Sequence, residues 1–297
     1  MKKSNLRAWQ VLFLFVAFLM VGFMESKTAP RENKIITSPL SISAKSSTPL
    51  LLATSTPTPT IIPTLTPTSA PVPNYGFCLR VPVLLYHHIR TQAEAVLKKQ
   101  SSLNVDPGFF DLQMKYLTEH GYNTIFADVL INALKTHSPL PGKSILVTVD
   151  DGYRDFFQDA FPVVQKYGIK VNLMVATGLI GGEDNMSWDQ INQIKQSGLS
   201  YFVDHTWSHY AIGRGSQDKI QYEIQTGKQQ LEEHTGQSVN IFAYPYGSFN
   251  NNAISTLQSD GFIGAFSTIG GFSQCDSFIM TLHRNHVGNA PLSSYGL

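Results

Sequence analysis

The chain has 297 residues and 42% hydrophobic content, enough for one large domain or two ordinary ones and too apolar for a chain disordered throughout. Its 22 basic and 21 acidic residues leave a formal net charge of +1 with no dominant block. That balance excludes the electrostatic footprint of a nucleic-acid binder, so any polymer partner is expected to be neutral.

Lys2, Lys3 and Arg7 precede a predominantly apolar run at 8–24, the pattern of an export signal. The run is long for a signal-peptide core and short for a membrane span, and no Ala-x-Ala site follows it. A cleaved signal over 1–26 and an N-terminal membrane anchor both stay open, and either places the protein outside the cell or on its surface. Residues 27–76 are rich in Ser, Thr and Pro, with "TSTPTPTIIPTLTPTSAPVP" at their centre. Repeated proline favours an extended polyproline-II chain that buries little, so this is expected to be a disordered linker acting as a semi-rigid stalk. The globular domain is expected over 77–297. Its Cys78 and Cys275 are the only cysteines, and in an exported chain they can form a disulfide, with two independent buried thiols as the alternative.

Within that domain "RVPVLLYH" (80–87) reads as a buried strand. Asp106, Pro107 and the stripe Phe110, Met114, Leu117 before Gly121 predict a capped helix. "YNTIFA" is a strand, a short helix runs through Leu134, and "SILVTV" (144–149) is another buried strand. "FPVVQKYG" reads as a helix stopped at Gly168, "IKVNLMVA" as a strand, "SWDQINQIKQSG" as a helix capped by Ser187, and "LSYFVD" as a strand. Ser216 caps a longer helix with Ile220, Ile224 and Leu231 on one face, ended by Gly236. "VNIFAYP", "NNAISTLQSDG" and "FIGAFST" give strand, helix and strand, and "SFIMTLHR" (277–284) is expected as the last strand. Strands joined by helices imply a parallel sheet, and about seven or eight such units suggest a barrel with its functional side chains at the C-terminal strand ends.

"TVDDGY" at 148–153 can be a hairpin turn or a pair of acids at a strand end. The helical pattern "RDFFQDAFPVVQKYG" that follows leaves no returning strand, so Asp150 and Asp151 fall at the end of a buried strand. Adjacent strand residues point to opposite faces, so both reach one site only if the chain bends, as Gly152 would permit. Two acids held together call for a cation or a shared proton. "DHTWSHYA" supplies His205 and His209 after the next strand but one, at a spacing that can put both imidazoles on one face of a helical turn. One unit later, Tyr244, Pro245, Tyr246 and Gly247 form a rigid turn able to present a backbone N–H.

In that order, Asp-Asp-Gly, His-x-x-x-His and Pro-Tyr-Gly at three strand ends resemble the polysaccharide deacetylases, carbohydrate esterase family 4 with its NodB homology domain. The resemblance runs from "VPVLLYHHI" (81–89) to "LHRNHV" (282–287), and "FAYPYG" and "LLYHH" look most like the subgroup acting on extracellular poly-N-acetylglucosamine. It implies a distorted (β/α)7-type barrel holding a divalent metal, most simply Zn2+, with Co2+, Ni2+ or Mn2+ as alternatives. By position Asp151, His205 and His209 match the metal ligands and Asp150 the catalytic base. The Tyr246 N–H and the metal would hold the oxyanion, and Arg284 would supply positive charge beside Asp150. His283 and His286 are candidates for the general acid. His87 and Tyr246 are expected to line the substrate site, and Trp207 either stacks on a sugar or fills a core gap.

Two departures stand out: Ala243 occupies the position where the family often has arginine, and the usual fourth motif has no match. The implied activity is metal-dependent removal of N-acetyl groups from an N-acetylglucosamine polymer by a monomer. An O-acetyl xylan esterase on the same scaffold and a non-catalytic carbohydrate-binding relative are the alternatives.

Overall fold

A computed structural model describes residues 76–297. The apolar run at 8–24 and all but the last residue of the Ser/Thr/Pro-rich stretch lie outside the described residues.

The elements follow in chain order as β1 (Cys78–Arg80), β2 (Val83–Tyr86), β3 (His88–Ile89), α1 (Gln92–Leu97), β4 (Asn104–Val105), α2 (Pro107–Glu119), β5 (Asn123–Thr124), α3 (Ala127–Thr136) and β6 (Ser144–Asp150). A five-residue π-helical segment, Phe156–Ala160, leads into α4 (Phe161–Tyr167), followed by β7 (Val171–Val175), α5 (Trp188–Gln196), β8 (Ser200–Asp204) and α6 (Gln217–Thr235). β9 (Ile241–Ala243), α7 (Asn251–Ser259), β10 (Gly264–Phe266), β11 (Ser273–Cys275) and β12 (Asn285–His286) complete the fold.

Local chemistry fixes the helix ends. Asp106 accepts from Gly108 N ahead of α2, and Ser187 and Gln190 form a reciprocal capping box on α5. Gly168 and Gly236 close α4 and α6 in the left-handed conformation.

The main sheet runs β10-β9-β8-β7-β6-β2-β12, every pair parallel, with β5 added beside β6. It is curled into a partly closed, distorted barrel. One segment bridges its edges: Leu282 exchanges hydrogen bonds of 2.8 Å with Ala265 and Ser267 beside β10, and Asn285–His286 then pairs with β2. The expected last strand over 277–284 is therefore displaced. Its first part turns helically at Asp276–Phe278, and regular pairing is confined to β12 because only there does β2 offer a free edge. "YNTIFA" likewise keeps only two strand residues, because Ala127 already opens α3.

The alternation of side chains across the strands separates two cores. Leu84, Val147, Leu173 and Phe202 face outward onto Phe110, Met114, Val164, Ile191 and Ile224 of the surrounding helices. Val83, Leu146, Met174, Val203 and Ala243 face inward and pack with Leu130, Ile131 and Leu134 of α3. Carried on by twos, the inward parity of Val83, Leu146 and Val203 reaches His87, Asp150 and His205. β1 pairs with β11 in register, placing Cys78 opposite Cys275, and the two are disulfide-bonded. Among the described residues no helix is long and apolar enough to cross a membrane.

Candidate active site

At the C-terminal ends of β2, β6, β8 and β9 lies a cleft of about 390 Å3, lined by Asp150, Asp151, His205, His209, Tyr246 and both His87 and His286. Asp150 reaches it by strand parity. Asp151 should point the other way, and it reaches the cleft because its own backbone turns left-handed, with φ 73°, followed by Gly152 at φ 72°. The bend expected at Gly152 thus begins one residue earlier. Gly152 suits its place because its own φ of 72° is one that residues with a Cβ rarely adopt, and a Cβ there would also press on Ile180 Cδ1 at 2.9 Å. The turn is bracketed by Asn185, whose Nδ2 donates to Asp151 O at 3.1 Å, and by Met186 N on Gly152 O at 2.9 Å.

Asp150 is 2% exposed and is gripped by Arg284, itself wholly buried. Nη1 donates to Oδ1 at 2.6 Å and Nη2 to Oδ2 at 2.9 Å, a bidentate pair. Arg284 is oriented in turn by Nε on Ser267 O at 2.9 Å. Burial alone would raise the Asp150 carboxyl, but the charge and hydrogen bonds of Arg284 outweigh it and hold the group below the ordinary carboxylate range. Asp150 is therefore ionised at neutral pH.

His205 and His209 do not share a helical turn, because residues 205–211 form a loop in which Thr206 and His209 take left-handed φ values of 66° and 57°. The loop nevertheless brings both Nε2 atoms to Asp151 Oδ1, at 3.3 Å for His205 and 3.0 Å for His209. Neither approach has hydrogen-bond alignment, and this buried oxygen has no hydrogen-bond partner among the described residues. The His205 ring is oriented from its far side: Nδ1 lies 2.7 Å from Ala243 O, a carbonyl that can only accept, so Nδ1 carries a proton and Nε2 is the atom turned toward Asp151. Asp151, His205 and His209 can offer one ligand atom each, all within 4.8 Å of one another. The donor set of two imidazoles and one carboxylate, with the second nitrogen of each imidazole engaged, fits a divalent ion. His209 Nδ1 has its partner in the Tyr246 hydroxyl, at 3.0 Å.

Tyr246 sits in a turn at φ 59°, 72% exposed, with its ring edge-on to His209. Gly247 N and Ser248 N close that turn on Tyr244 O and Pro245 O, leaving the Tyr246 N–H out of the turn's own hydrogen bonds. His87 and His286 stack in parallel, with ring centroids 5.6 Å apart. Burial, reinforced by Arg284, lowers both imidazoles despite the opposing charge of Asp150. Both are neutral at neutral pH.

Two expected residues lie elsewhere. His283 lines a separate cavity with Cys78 and Cys275 and stacks on Phe278 at 4.6 Å. It is out of reach as a general acid in this cleft because β12 begins only at Asn285, so the inward positions on that segment fall to Arg284 and His286. Trp207 turns away from the cleft, against Gly178 and edge-on to Tyr222, so it fills a gap between a loop and α6 and offers no platform for a sugar in the cleft.

The sequence reading also missed Tyr153 and Leu103, which line the cleft. Burial and the adjacent Asp151 carboxylate push the Tyr153 phenol far up, so it stays protonated. Its ring stacks on His88 at 3.7 Å, and behind that lies a buried network in which Arg90 Nε donates to Asp155 Oδ2 at 2.6 Å, with His88 Nδ1 2.8 Å from the same oxygen. The adjacency of Tyr153 to Gly152 was the one available signal. Leu103 comes from a loop that carries no motif.

Comparison with known proteins places this geometry. The family model described as polysaccharide deacetylase matches residues 137–264, a stretch that includes both aspartates, both histidines and the Tyr246 turn. The chain is 28% identical over 208 residues to YxkH of Bacillus subtilis (strain 168), whose name carries the same family; the match covers 70% of this chain and 71% of that one. It is 25% identical to the poly-beta-1,6-N-acetyl-D-glucosamine N-deacetylase of Escherichia coli (strain K12), covering 73% of this chain but only 38% of that protein. Among solved structures, a Streptococcus pyogenes deacetylase, PplD in complex with acetate, superposes with a TM-score of 0.66 at 26% identity, covering 70% of this chain and 92% of that one. IcaB from Ammonifex degensii gives 0.62 at 27% identity, covering 70% and 91%. Strand-end motifs, barrel and relatives agree in one likeness: the chain is similar to the polysaccharide deacetylases, which are hydrolases.

Proposed function

We propose that this chain removes N-acetyl groups from an extracellular N-acetylglucosamine-containing polysaccharide, using a divalent cation held by Asp151, His205 and His209. The observation that carries the proposal is the convergence of those three side chains, Asp151 and His205 buried and His209 half-buried, beside Asp150, a second carboxylate kept ionised by Arg284. A family resemblance alone would not distinguish an enzyme from a binding relative. A binding groove has no need of a cation triad beside a charged base.

A cation bound there supplies Lewis acidity, polarising the acetyl carbonyl and making an adjacent water easier to deprotonate. Zn2+ matches two imidazoles and a carboxylate best. Asp150 is the base in this reading: it is ionised, buried and fixed in one rotamer by its bidentate partner. The Tyr246 N–H, released from its turn, donates to the oxygen on which negative charge develops. Collapse breaks the C–N bond, and the nitrogen needs a proton. His87 or His286, neutral imidazoles lining the cleft, would take up the proton that Asp150 drew from water and deliver it to that nitrogen. Tyr246 and Leu103 at the rim are the groups placed to meet a sugar ring.

The named activity of the E. coli relative supports poly-β-1,6-N-acetylglucosamine as the polymer to try first. The apolar run at 8–24 supports export, with surface attachment if it is retained. Acetate release should be measured from β-1,6-linked N-acetylglucosamine oligomers, chitin oligomers and acetylated xylan with Zn2+ present. The expected result is release from an N-acetylated glycan, abolished in Asp150→Asn. Release from xylan esters alone would refute the amide assignment, and glycan binding without any release would refute the enzyme.

A further inference from the structure

The loop that carries both imidazoles is held from outside. Its left-handed Thr206 and His209 are conformations that residues with a Cβ rarely take, a β-branched threonine least of all. Unsupported, such a loop would relax and its two imidazoles would part.

One face of α6 supplies the support, through Lys219, Glu223 and Gly227, each four residues from the next and so stacked turn upon turn. At Gly227 the helix touches the loop: a Cβ there would overlap Asp204 Oδ1 and lie 2.9 Å from the Thr206 carbonyl carbon. One turn back, Glu223 is wholly buried and accepts from Ser208 N at 2.8 Å and from Ser208 Oγ at 2.7 Å, while its backbone carbonyl accepts from Trp207 N at 3.0 Å. A further turn back, Lys219 Nζ is 2.6 Å from Glu223 Oε1 and lies over the rings of Tyr210 and Trp207, at 5.2 and 6.0 Å. Apart from the Lys219–Glu223 pair within the helix, these contacts fall on residues 204–210, between or beside the two imidazoles. None reaches the cleft.

We propose that Glu223 is the positioning residue of the cation site, fixing the 205–209 loop so that His205 and His209 meet at Asp151. The inference rests on the cation reading above and extends it to a residue that touches neither cation nor substrate. Its carboxylate matters through geometry. An alanine leaves the Ser208 N–H without this partner, whereas a glutamine can still accept from Ser208 N and donate to Ser208 Oγ once the part-exposed Lys219 ammonium swings away from the amide.

The test is Co2+ titration of the full chain, followed by its visible absorption, with thermal melting alongside. The parent should bind one Co2+ tightly. Glu223→Ala should bind about 10- to 100-fold more weakly, the range typical of lost outer-shell support, with an altered band shape from a changed ligand geometry. Glu223→Gln should stay within about threefold of the parent and keep its spectrum. If Glu223→Ala does not fold, Ser208→Ala removes a single hydrogen bond and should still weaken Co2+ several-fold. A parent that binds no Co2+ refutes the cation reading itself. A parent that binds, with Glu223→Ala or Ser208→Ala equal to it in affinity and spectrum, refutes the positioning role alone. So does a glutamine variant no better than the alanine.

Discussion

Replacing Arg284 with methionine, which keeps much of the volume and removes the charge, leaves Asp150 buried without its bidentate partner. Removing one member of a buried ion pair costs about 3–5 kcal/mol, since the remaining charge is uncompensated. For a domain of this size that lowers the melting temperature by roughly 6–20 °C. The sign with pH follows from the direction of the shift. In the parent, Asp150 lies below the ordinary carboxylate range, so its pairing stabilises the fold above the unfolded-state pKa and is lost as pH falls through the folded value. In the variant, burial acts unopposed by Arg284 and drives the carboxyl upward, so the unpaired charge destabilises most at neutral pH and protonation in acid relieves it. The melting deficit of Arg284→Met should therefore shrink between pH 7 and pH 4. The acid limb of kcat/KM for acetate release should move to higher pH, with activity at pH 7 down by about 100-fold through loss of the ionised base. Arg284→Lys should be intermediate, because an ammonium keeps charge but cannot reproduce the fork. Melting deficits independent of pH, together with an unmoved acid limb, would refute the argument that Arg284 sets the state of Asp150.

Trp207→Ala should lower the melting temperature through the gap it opens against Gly178 and Tyr222, by less than the roughly 3–5 kcal/mol of a fully buried tryptophan because this one is half-buried, while leaving KM for a glycan oligomer within about twofold. A large rise in KM with stability unchanged would return Trp207 to the substrate site. The disulfide closes a separation of 197 residues, for which chain entropy allows up to about 5 kcal/mol. Paired Cys78→Ser and Cys275→Ser substitutions should lower the melting temperature by roughly 5–15 °C with kcat little changed, since the bond lies outside the cleft; an unaltered melt would show that β1 and β11 pair without it.

What could be read from the sequence was what is encoded locally. Asp150, His205 and His87 follow from strand parity, and the caps at Asp106, Ser187 and Ser216 need only their neighbours. Orientation was harder wherever the backbone leaves its regular wells. Asp151 turns into the cleft and Trp207 out of it through left-handed residues, Asp151 itself and Thr206, that no periodicity announces. The strand Ser273–Cys275 is short and polar and exists because β1 lies beside it, so nothing in "SQC" could signal it. "SFIMTLHR" misled in the opposite direction: its apolar residues meet α3 and β10 through turns and a single bridge at Leu282, and continuous strand pairing begins only with the two residues after it. Glu223 was visible as part of a helical pattern, but its contact with Ser208 crosses fifteen residues and belongs to tertiary structure.

The central claim divides the two adjacent aspartates: Asp151 holds the cation, and Asp150 is the base. Zinc content by elemental analysis of the parent, Asp150→Asn and Asp151→Ala, each purified identically and assayed for acetate release, tests it most directly. The account predicts about one zinc per chain in the parent and in Asp150→Asn, none in Asp151→Ala, and acetate release from the parent alone. Full zinc occupancy in Asp151→Ala, or sustained acetate release by Asp150→Asn, would contradict it.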